Sequence, residues 1–450
     1  MNILFITAGA AGMYCGSCLR DNALAAELKS RGHDVVLVPL YTPTLTDEPN
    51  VSERRVLFGG VSVYLQQRAS FFRWAPRIFD SVLDAPWLIK AALSGSVSTD
   101  PRTLGEMTIS MLKGEQGFQR KEFDKMLEWL ASEPPPDVVQ LPNALLASLA
   151  PTLRRALKPV RHSDLRSQRE GGPPVHCTLQ GEDLFLDGLG EPYKRQSLEL
   201  IQAAAVHVDA FLPVSRYYLE YMPGYLGLPK EKMRVLPLGI NLDGYTPRAG
   251  RPQNDVFTIG YFARVAPEKG LHVLAEAYRE LRSRPGIGKS RLLAAGYLAP
   301  EHQGYMDGVR QKLRDWGLGD QFEYRGEVDR AQKIAFLQSL DVLSVPATYQ
   351  EPKGIFLLEA MANGVPVVQP RRGAFPEVVE NTGGGVIVDA DSPAALADGF
   401  LELWRDPARA AALGRAGADG VRRHYTVGRM AECAEAVYRE VAGSRRQGYQ

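Results

Sequence analysis

The stretch EPKGIFLLEAMANGVPVVQ, residues 351–369, contains one example of the pattern that decides the fold. Gly354 can begin a helix, and Asn363-Gly364 can end it, because glycine is favoured just past helix C-termini. The apolar run Val365–Gln369 then predicts a strand that is buried on both faces. A helix followed at once by such a strand is typical of a parallel sheet covered by helices.

The same alternation recurs on both sides of a polar segment rich in proline and glycine, Tyr245–Asn254, which we interpret as a linker. Before it, the predicted strands are Asn2–Thr7, Asp34–Pro39, Asp137–Gln140, Val175–Leu179, Ala210–Val214 and Met233–Leu236. After it, they are Phe257–Phe262, Arg291–Ala295, Phe322–Tyr324, Val342–Val345, Val365–Gln369 and Gly385–Asp389. We therefore expect an α/β protein with two Rossmann-like, doubly wound parallel sheets.

The segment from about residue 41 to 136 interrupts this alternation and contains three of the five tryptophans. We predict a mostly helical insertion with its own small core, including a helix over Phe123–Ala131. Two other interpretations stay open: a lid or groove for an acceptor, and an amphipathic face that contacts a membrane. Basic residues among the aromatic residues of Phe71–Leu93 keep the membrane interpretation open.

The composition excludes several classes of protein. Lys and Arg number 53 and Asp and Glu 52, so the net charge is only +1 and predicts no nucleic-acid partner. Four cysteines in 450 residues are too few for a disulfide scaffold and favour a reducing compartment. The start, MNILFITAGAAG, resembles a strand rather than a signal peptide, and no apolar run approaches the ~20 residues that span a bilayer. We expect a cytoplasmic protein, with peripheral contact at the inner membrane face left open.

One carboxylate, Glu351, precedes the predicted helix that begins at Gly354, and a second, Glu359, lies one turn into it. The backbone N–H groups near Gly354–Phe356 would form an anion site at the helix N-terminus. Glu351 and Glu359 could not both contact a phosphate without repulsion, so they suit neutral hydroxyls, one on a ribose and one on a sugar. The alternative is that Glu351 is a charge favoured by the helix dipole and Glu359 a solvated helix residue.

Two cations follow another predicted strand, in the stretch GYFARVAPEKG, residues 260–270. Ligands of open α/β sheets bind at the carboxyl ends of the strands. At this position Arg264 and Lys269 would suit a diphosphate, because the guanidinium can donate two parallel hydrogen bonds and the ammonium supplies a compact positive charge. The alternative is a solvated basic turn.

Together these features resemble the retaining glycosyltransferases of family GT4, whose GT-B fold has two Rossmann-like domains that face a cleft. The segments that carry the resemblance are Gly260–Gly270, Gly326–Asp329, Glu351–Glu359, Ala360–Val367, Asn2–Val38, Pro213–Ser215 and Val235–Tyr245. It implies an acceptor-binding first domain, residues 1–244, and a second domain that binds a nucleotide-sugar, residues 256–425. Residues 426–450 would form a C-terminal helix that packs back on the first domain.

The resemblance also implies a role for each site residue. Arg264 and Lys269 would neutralise the departing diphosphate, and Glu351 would contact the transferred sugar. The other implied donor-binding positions are Gly12 near the phosphate, Val328 at the base, the N–H groups of Gly354, Ile355 and Phe356 at the diphosphate, and Glu359 at the ribose. These cations and amides could stabilise the leaving group without a metal or another cofactor, and the new bond would keep the anomeric configuration.

The first domain departs from the family pattern at one position. Gln180 stands where many relatives have a histidine that contacts the donor sugar; glutamine can donate a hydrogen bond but cannot carry a proton. His176, inside the predicted strand, is interpreted as structural. Tyr14, Arg20 and Asn22 are near enough in sequence to line an acceptor site.

Three other features bear on whether a metal or a cofactor takes part. Cys15-Gly-Ser-Cys18 could have a redox or metal role, but a structural zinc site needs four ligands, and the other two cysteines, Cys177 and Cys433, do not form a second C-x-x-C pair. We therefore predict a loop beside the acceptor site. The D-x-D at Asp389 and Asp391 leads directly into a helix start at Ser392-Pro393, so we predict a turn. Enzymes that bind a dinucleotide have an acidic residue at the end of the second strand, where it binds the ribose. The predicted strand Asp34–Pro39 does not end in such a residue, which argues against hydride transfer.

The sequence thus predicts a metal-independent glycosyltransferase whose acceptor could be a sugar, a glycan, a lipid or a small molecule. One alternative is a nucleotide-sugar epimerase or hydrolase on the same fold. The other is a non-catalytic protein that binds a nucleotide or a carbohydrate.

Overall fold

The computed structural model describes residues 1–9, 14–58, 63, 101–157, 172–248 and 256–447. The chain divides into two compact units. Unit 1 comprises Met1–Val214, Tyr218–Pro237 and Ala431–Gln450, and unit 2 comprises Ser215–Tyr217 and Leu238–Met430.

Unit 1 is built on a parallel sheet of five strands within the described residues, in the order β2-β1-β3-β4-β5. The strands are β1 (Asn2–Thr7), β2 (Asp34–Pro39), β3 (Val138–Leu141), β4 (Val175–Leu179) and β5 (Ala210–Pro213). The central strands β3 and β4 are buried along their whole length, as their apolar runs predict. The helices among the described residues of this part of the chain are α1 (Gly16–Ser30), α2 (Pro101–Leu112), α3 (Arg120–Leu130), α4 (Leu149–Ala156), α5 (Tyr193–Ala205) and α6 (Arg216–Leu226).

Unit 2 has a parallel sheet of six strands among its described residues, in the order β11-β10-β9-β6-β7-β8. They are β6 (Phe257–Phe262), β7 (Ser290–Ala295), β8 (Phe322–Tyr324), β9 (Val342–Leu343), β10 (Val367–Pro370) and β11 (Gly385–Val388). The helices that follow in the chain are α7 (Leu271–Ser283), α8 (Gln303–Asp315), α9 (Arg330–Gln338), α10 (Ile355–Ala362), α11 (Phe375–Thr382), α12 (Pro393–Arg405), α13 (Pro407–His424) and α14 (Val427–Gln447). Two doubly wound parallel sheets confirm the predicted α/β class.

Short 3₁₀ helices complete the described elements: Gly114–Gln116, Ala144–Leu146, Glu182–Gly188, Lys230–Lys232, Pro267–Lys269, Pro300–His302 and Gly319–Gln321. One predicted strand, Met233–Leu236, is wrong. That segment makes an isolated bridge between Phe211 and Met233 and only two backbone hydrogen bonds to β5, from Arg234 and Leu236. Pro237 has no N–H group, so it cannot donate to a longer ladder.

The described part of residues 41–136 contains α2 and α3, and α3 covers most of the predicted helix over Phe123–Ala131. The ring centroid of Phe123 lies 5.0 Å from that of Phe58. The aromatic stretch Phe71–Leu93, on which the membrane interpretation depends, lies outside the described residues. No helix in the described part of the chain is both long enough and apolar enough to cross a bilayer.

The last helix, α14, contributes its residues from Ala431 onward to unit 1. The Tyr438 ring stacks on His176 of β4 with centroids 5.2 Å apart, and its hydroxyl donates to Gln140 Oε1 of β3 at 3.1 Å. The C-terminal helix therefore packs against the central strands of the first sheet.

Candidate functional site

The loops that follow β6 and β9 lie side by side because these two strands are neighbours in the second sheet. The loop after β6 carries Arg264 and Lys269, and the loop after β9 carries Glu351. The carboxyl ends of parallel strands meet at one edge of a sheet. Residues that are far apart in sequence are therefore brought together at this edge.

Lys269 and Glu351 form a salt bridge, with Nζ 2.5 Å from Oε2. Glu351 is only 2% exposed. Its Oε1 atom accepts the backbone N–H of Lys353 at 3.2 Å and that of Gly354 at 3.3 Å. The hydroxyl of Tyr349 donates to Oε2 as well. Both carboxylate oxygens are therefore held by donors.

The ionisation of Glu351 follows from these contacts. Burial by itself raises the pKa of a carboxyl group, because the charged form loses its water. Here the charge of Lys269 and the hydrogen bonds from Lys269 and Tyr349 outweigh burial and lower the pKa of Glu351 to about 2. The group is a carboxylate at neutral pH.

A glycine places Lys269 at this edge. Gly270 has φ +75°, and a Cβ atom there would lie 2.0 Å from the carbonyl oxygen of Pro346. The turn that carries Lys269 can therefore approach the chain after β9 only because residue 270 lacks a side chain. The ammonium also lies over two aromatic rings, 4.8 Å from the centroid of Tyr349 and 5.7 Å from that of Phe356.

Arg264, the second predicted cation, pairs locally. Its Nη2 atom lies 2.5 Å from Glu268 Oε1, and both side chains are more than a third exposed. Its carbonyl oxygen accepts the hydroxyl of Tyr261 at 3.0 Å. Each predicted cation therefore has a carboxylate partner in this structure.

Helix α10 begins where the sequence predicts, after Gly354, whose φ is +68°. Its residues Phe356–Ala362 are all buried, including Glu359, which is 7% exposed. The alternative that Glu359 is a solvated helix residue is wrong. The sequence IFLLEAMA is apolar around the whole helix, and this pattern predicts burial on all sides.

Glu359 has two partners that sequence reasoning missed. Its Oε1 atom accepts from Lys333 Nζ at 2.6 Å and from the hydroxyl of Tyr245 at 3.1 Å. Burial raises the pKa of Tyr245, and the charge of Glu359 raises it further. Lys333 lies on α9, which begins with a capping box between Asp329 and Gln332. Val328, the predicted base contact, lies two residues before the first residue of this helix.

The residues predicted to line an acceptor site lie in unit 1, and two of them are buried. The side chain of Arg20 is fully buried, with Nη1 3.0 Å from Asp21 Oδ1. Its Nε and Nη2 atoms have no hydrogen-bond partner among the described residues. Asn22 bonds the backbone of residues 49–51 through both its amide atoms. Tyr14 is half-buried.

Gln180 follows β4 and is completely buried. Its Nε2 atom donates to the carbonyl of Pro142 at 3.1 Å and, at 3.4 Å, to Asp21 Oδ1. Its Oε1 atom has no partner in the described part of the chain. Because both partners of Nε2 are acceptors, they fix the orientation of the amide. Gly12, predicted near the phosphate, lies outside the described residues.

The structure also describes the two motifs that could suggest a metal site, Cys15–Cys18 and Asp389–Asp391. Cys15 precedes α1, Cys18 is buried, and neither forms a disulfide within the described residues. No group of three or more potential metal ligands occurs among the described residues. Asp391 pairs with Arg372. Ser392 Oγ accepts the N–H of Ala395 at 3.1 Å and Pro393 is the first residue of α12, which confirms the predicted helix start.

Comparison with known proteins identifies the class that this fold and these residues define. The "Glycosyl transferase 4-like domain" family matches residues 22–239, and "Glycosyl transferases group 1" matches residues 247–419. The chain belongs to the GT4 glycosyltransferases of GT-B fold.

Individual relatives agree with this assignment. A GDP-mannose-dependent alpha-(1-6)-phosphatidylinositol monomannoside mannosyltransferase of Mycobacterium tuberculosis is 30% identical over 43% of this chain and 52% of its own length. A putative colanic acid biosynthesis glycosyltransferase of Escherichia coli is 29% identical over 42% of this chain and 46% of its own length. The chain thus spans about half the length of the curated relatives that it matches.

Solved structures share the fold over nearly the whole chain. Sucrose-phosphate synthase from Thermosynechococcus elongatus superposes with a TM-score of 0.68 at 17% identity, covering 99% of this chain and 100% of that one. Anabaena HepE in complex with UDP superposes with a TM-score of 0.65 at 16% identity, covering 97% and 99%.

Proposed function

We propose that this protein is a retaining glycosyltransferase that transfers a sugar from a nucleotide-sugar donor to an acceptor hydroxyl without a metal ion. The observation that carries the proposal is the pairing of two predicted catalytic residues, Lys269 and Glu351, beside the N-terminus of α10. The pair lies within residues 247–419, the part of the chain that matches the group 1 family.

In the proposed mechanism, the diphosphate of the donor binds to Arg264, Lys269 and the backbone N–H groups of 354–356. A helix N-terminus favours an anion, and charge on the leaving oxygen is the largest electrostatic demand of the reaction. The diphosphate must compete with Glu268 for Arg264 and with Glu351 for Lys269. Since the two cations and the amides supply the neutralising charge, a chelator should leave turnover unchanged.

The remaining contacts of the proposed site follow the family pattern. Glu351 contacts the transferred sugar, Glu359 the ribose and Val328 the base. The ribose hydroxyls join Lys333 and Tyr245 around the Glu359 carboxylate. The unit 1 contacts that we propose are Gly12 and Gln180 for the donor, and Tyr14, Arg20 and Asn22 for the acceptor.

The donor and acceptor classes take support from the names of the relatives. One relative is named as dependent on GDP-mannose and acts on a phosphatidylinositol mannoside, whereas the HepE structure holds UDP. We therefore propose UDP and GDP as the first nucleotides to test and a sugar or lipid-linked acceptor. A lipid-linked acceptor would bring a cytoplasmic enzyme to the inner membrane face.

The test is a thermal-shift panel with UDP, GDP and ADP. A ligand that binds only the folded protein at 100 times its Kd stabilises it by about 2.7 kcal/mol, so one nucleotide should clearly raise Tm. Arg264→Ala should abolish this rise. Arg310→Ala, which removes an equally exposed arginine from α8, should keep it. If no nucleotide raises Tm, the proposed donor site is wrong.

Turnover of the matching sugar donor then separates the proposal from its alternatives. A glycosyltransferase forms a product that contains the acceptor, and the anomeric configuration of its new bond, read by NMR, should match that of the donor. An epimerase or hydrolase consumes donor without any acceptor. A non-catalytic binding protein is stabilised by the nucleotide but turns nothing over, and Glu351→Gln would then change no rate.

A further inference from the structure

The hydroxyl of Tyr349 lies between the two predicted catalytic residues. It is 2.6 Å from Lys269 Nζ and also hydrogen-bonded to Glu351 Oε2. An ammonium group can only donate and a carboxylate can only accept, so the direction of each bond is fixed. Lys269 donates to the tyrosine oxygen, and the tyrosine proton points to Glu351.

Donor binding must change this arrangement. Lys269 contacts Glu351 directly. When the diphosphate binds the ammonium, the carboxylate loses the positive charge that was beside it. In the donor-bound state, in which the N–H of Gly354 turns to the diphosphate, Oε1 would keep the backbone N–H group of Lys353 and Oε2 would keep the hydroxyl of Tyr349.

We propose that Tyr349 is a positioning residue, which keeps the Glu351 carboxylate oriented and ionised toward the sugar once Lys269 has turned to the donor's diphosphate. This inference rests on the proposed function. It assigns to Tyr349 no contact with the donor itself, and it predicts an effect on the rate of transfer rather than on nucleotide binding.

Because it is buried, the Glu351 carboxylate stays charged only with the help of neighbouring groups. Burial raises the pKa of Glu351, while Lys269, the hydrogen bond from Tyr349 and the charge of Lys353 lower it. These three side chains are the titratable groups that act most strongly on the carboxylate. When Lys269 is withdrawn, the hydrogen bond from Tyr349 and the charge of Lys353 remain to favour the charged form.

The kinetic test compares Tyr349→Phe with the wild type. Phenylalanine keeps the ring that faces the Lys269 ammonium and removes only the hydroxyl. We expect an unchanged nucleotide-induced rise in Tm and a KM for the donor within about twofold. Hydrogen bonds to charged groups are strong, so kcat should fall roughly 10- to 100-fold, and the acid limb of its pH profile should move to higher pH.

Tyr278→Phe is the matched control. It removes a buried tyrosine hydroxyl that donates to the Ser290 carbonyl at 2.9 Å, in the same unit but away from Glu351. Its kcat and pH profile should equal those of the wild type. The inference is overturned if Tyr349→Phe leaves kcat and the acid limb unchanged, or if it abolishes the nucleotide-induced rise in Tm. A wild type that no nucleotide stabilises refutes the proposed function instead.

A second measurement needs no turnover. Lys269→Met imitates the withdrawal of the ammonium, and the Glu351 pKa is then read from the pH dependence of unfolding relative to the same variant carrying Glu351→Gln. Adding Tyr349→Phe to Lys269→Met should raise this pKa by about one unit or more. An equal pKa in the two backgrounds would mean that Tyr349 does not hold the carboxylate, which overturns the inference whatever the enzyme's activity.

Discussion

Lys269 and Glu351 are 82 positions apart in sequence, and their side chains meet with Nζ 2.5 Å from Oε2. The lysine is 15% exposed and the glutamate 2%. The pair is thus close enough to solvent for a ligand to reach the ammonium, whereas the carboxylate is held in the protein. In the proposed enzyme, the donor diphosphate has to break this ion pair when it binds Lys269.

The first prediction concerns the cost of breaking this pair. Lys269→Met should destabilise the protein by about 3–5 kcal/mol, because it leaves a buried carboxylate without its cation. Glu351→Gln should cost less, since Lys269 can still reach water. The double variant Lys269→Met/Glu351→Gln should be more stable than the sum of the single changes predicts, with a coupling free energy of about 1–3 kcal/mol measured by urea denaturation. Strict additivity would mean that the two side chains do not interact in solution.

The second prediction compares two Lys–Glu pairs in unit 2. Lys333 and Glu359 are both buried, with 5% and 9% of their side chains exposed. Lys333→Met should cost about 3 kcal/mol or more. Lys312→Met breaks the pair with Glu276, whose side chains are 52% and 37% exposed, and should cost less than about 1 kcal/mol. Equal losses in urea denaturation would contradict the burial of Glu359.

Much of the fold could be predicted because it follows from local signals. The strand Asn2–Thr7 and the start of α12 at Ser392-Pro393 have the predicted bounds. An apolar run bounded by polar residues, and a serine followed by a proline, each act within a few positions.

The partners of the site residues could not be predicted in the same way. Spacing places Lys269 and Glu351 at one sheet edge, but it does not say that they pair with each other. Lys333 and Tyr349 carry no motif of their own, and the family segment that ends at Tyr245 does not indicate that its hydroxyl bonds to Glu359. These three side chains contact the carboxylates of Glu351 and Glu359 because elements distant in sequence pack together, and a single sequence does not show how those elements pack.

The third prediction concerns Gly270, which places Lys269. Gly270→Ala would force a left-handed backbone on alanine and set its Cβ atom 2.0 Å from the Pro346 carbonyl. Gly317→Ala is the control, because φ there is +69° and nothing lies within 4 Å of a built Cβ atom. The control should lose about 1–2 kcal/mol from the backbone alone, and Gly270→Ala several kcal/mol. Similar losses of unfolding free energy would show that the close approach to Pro346 is absent.

The fourth prediction is a pH dependence that arises in unit 1. Burial lowers the pKa of His176 to about 3, and neither ring nitrogen has a hydrogen-bond partner among the described residues. The unfolded chain binds a proton below its ordinary pKa of about 6.5 and the folded chain does not, so stability falls as pH decreases from about 6.5 toward 3. His176→Phe keeps a ring against Tyr438 and removes this proton. Between pH 7 and pH 5, the wild type should lose about 2 kcal/mol more of its unfolding free energy than His176→Phe does, as measured by urea denaturation. A constant difference between the two proteins would show that His176 is protonated in the folded state or reaches water.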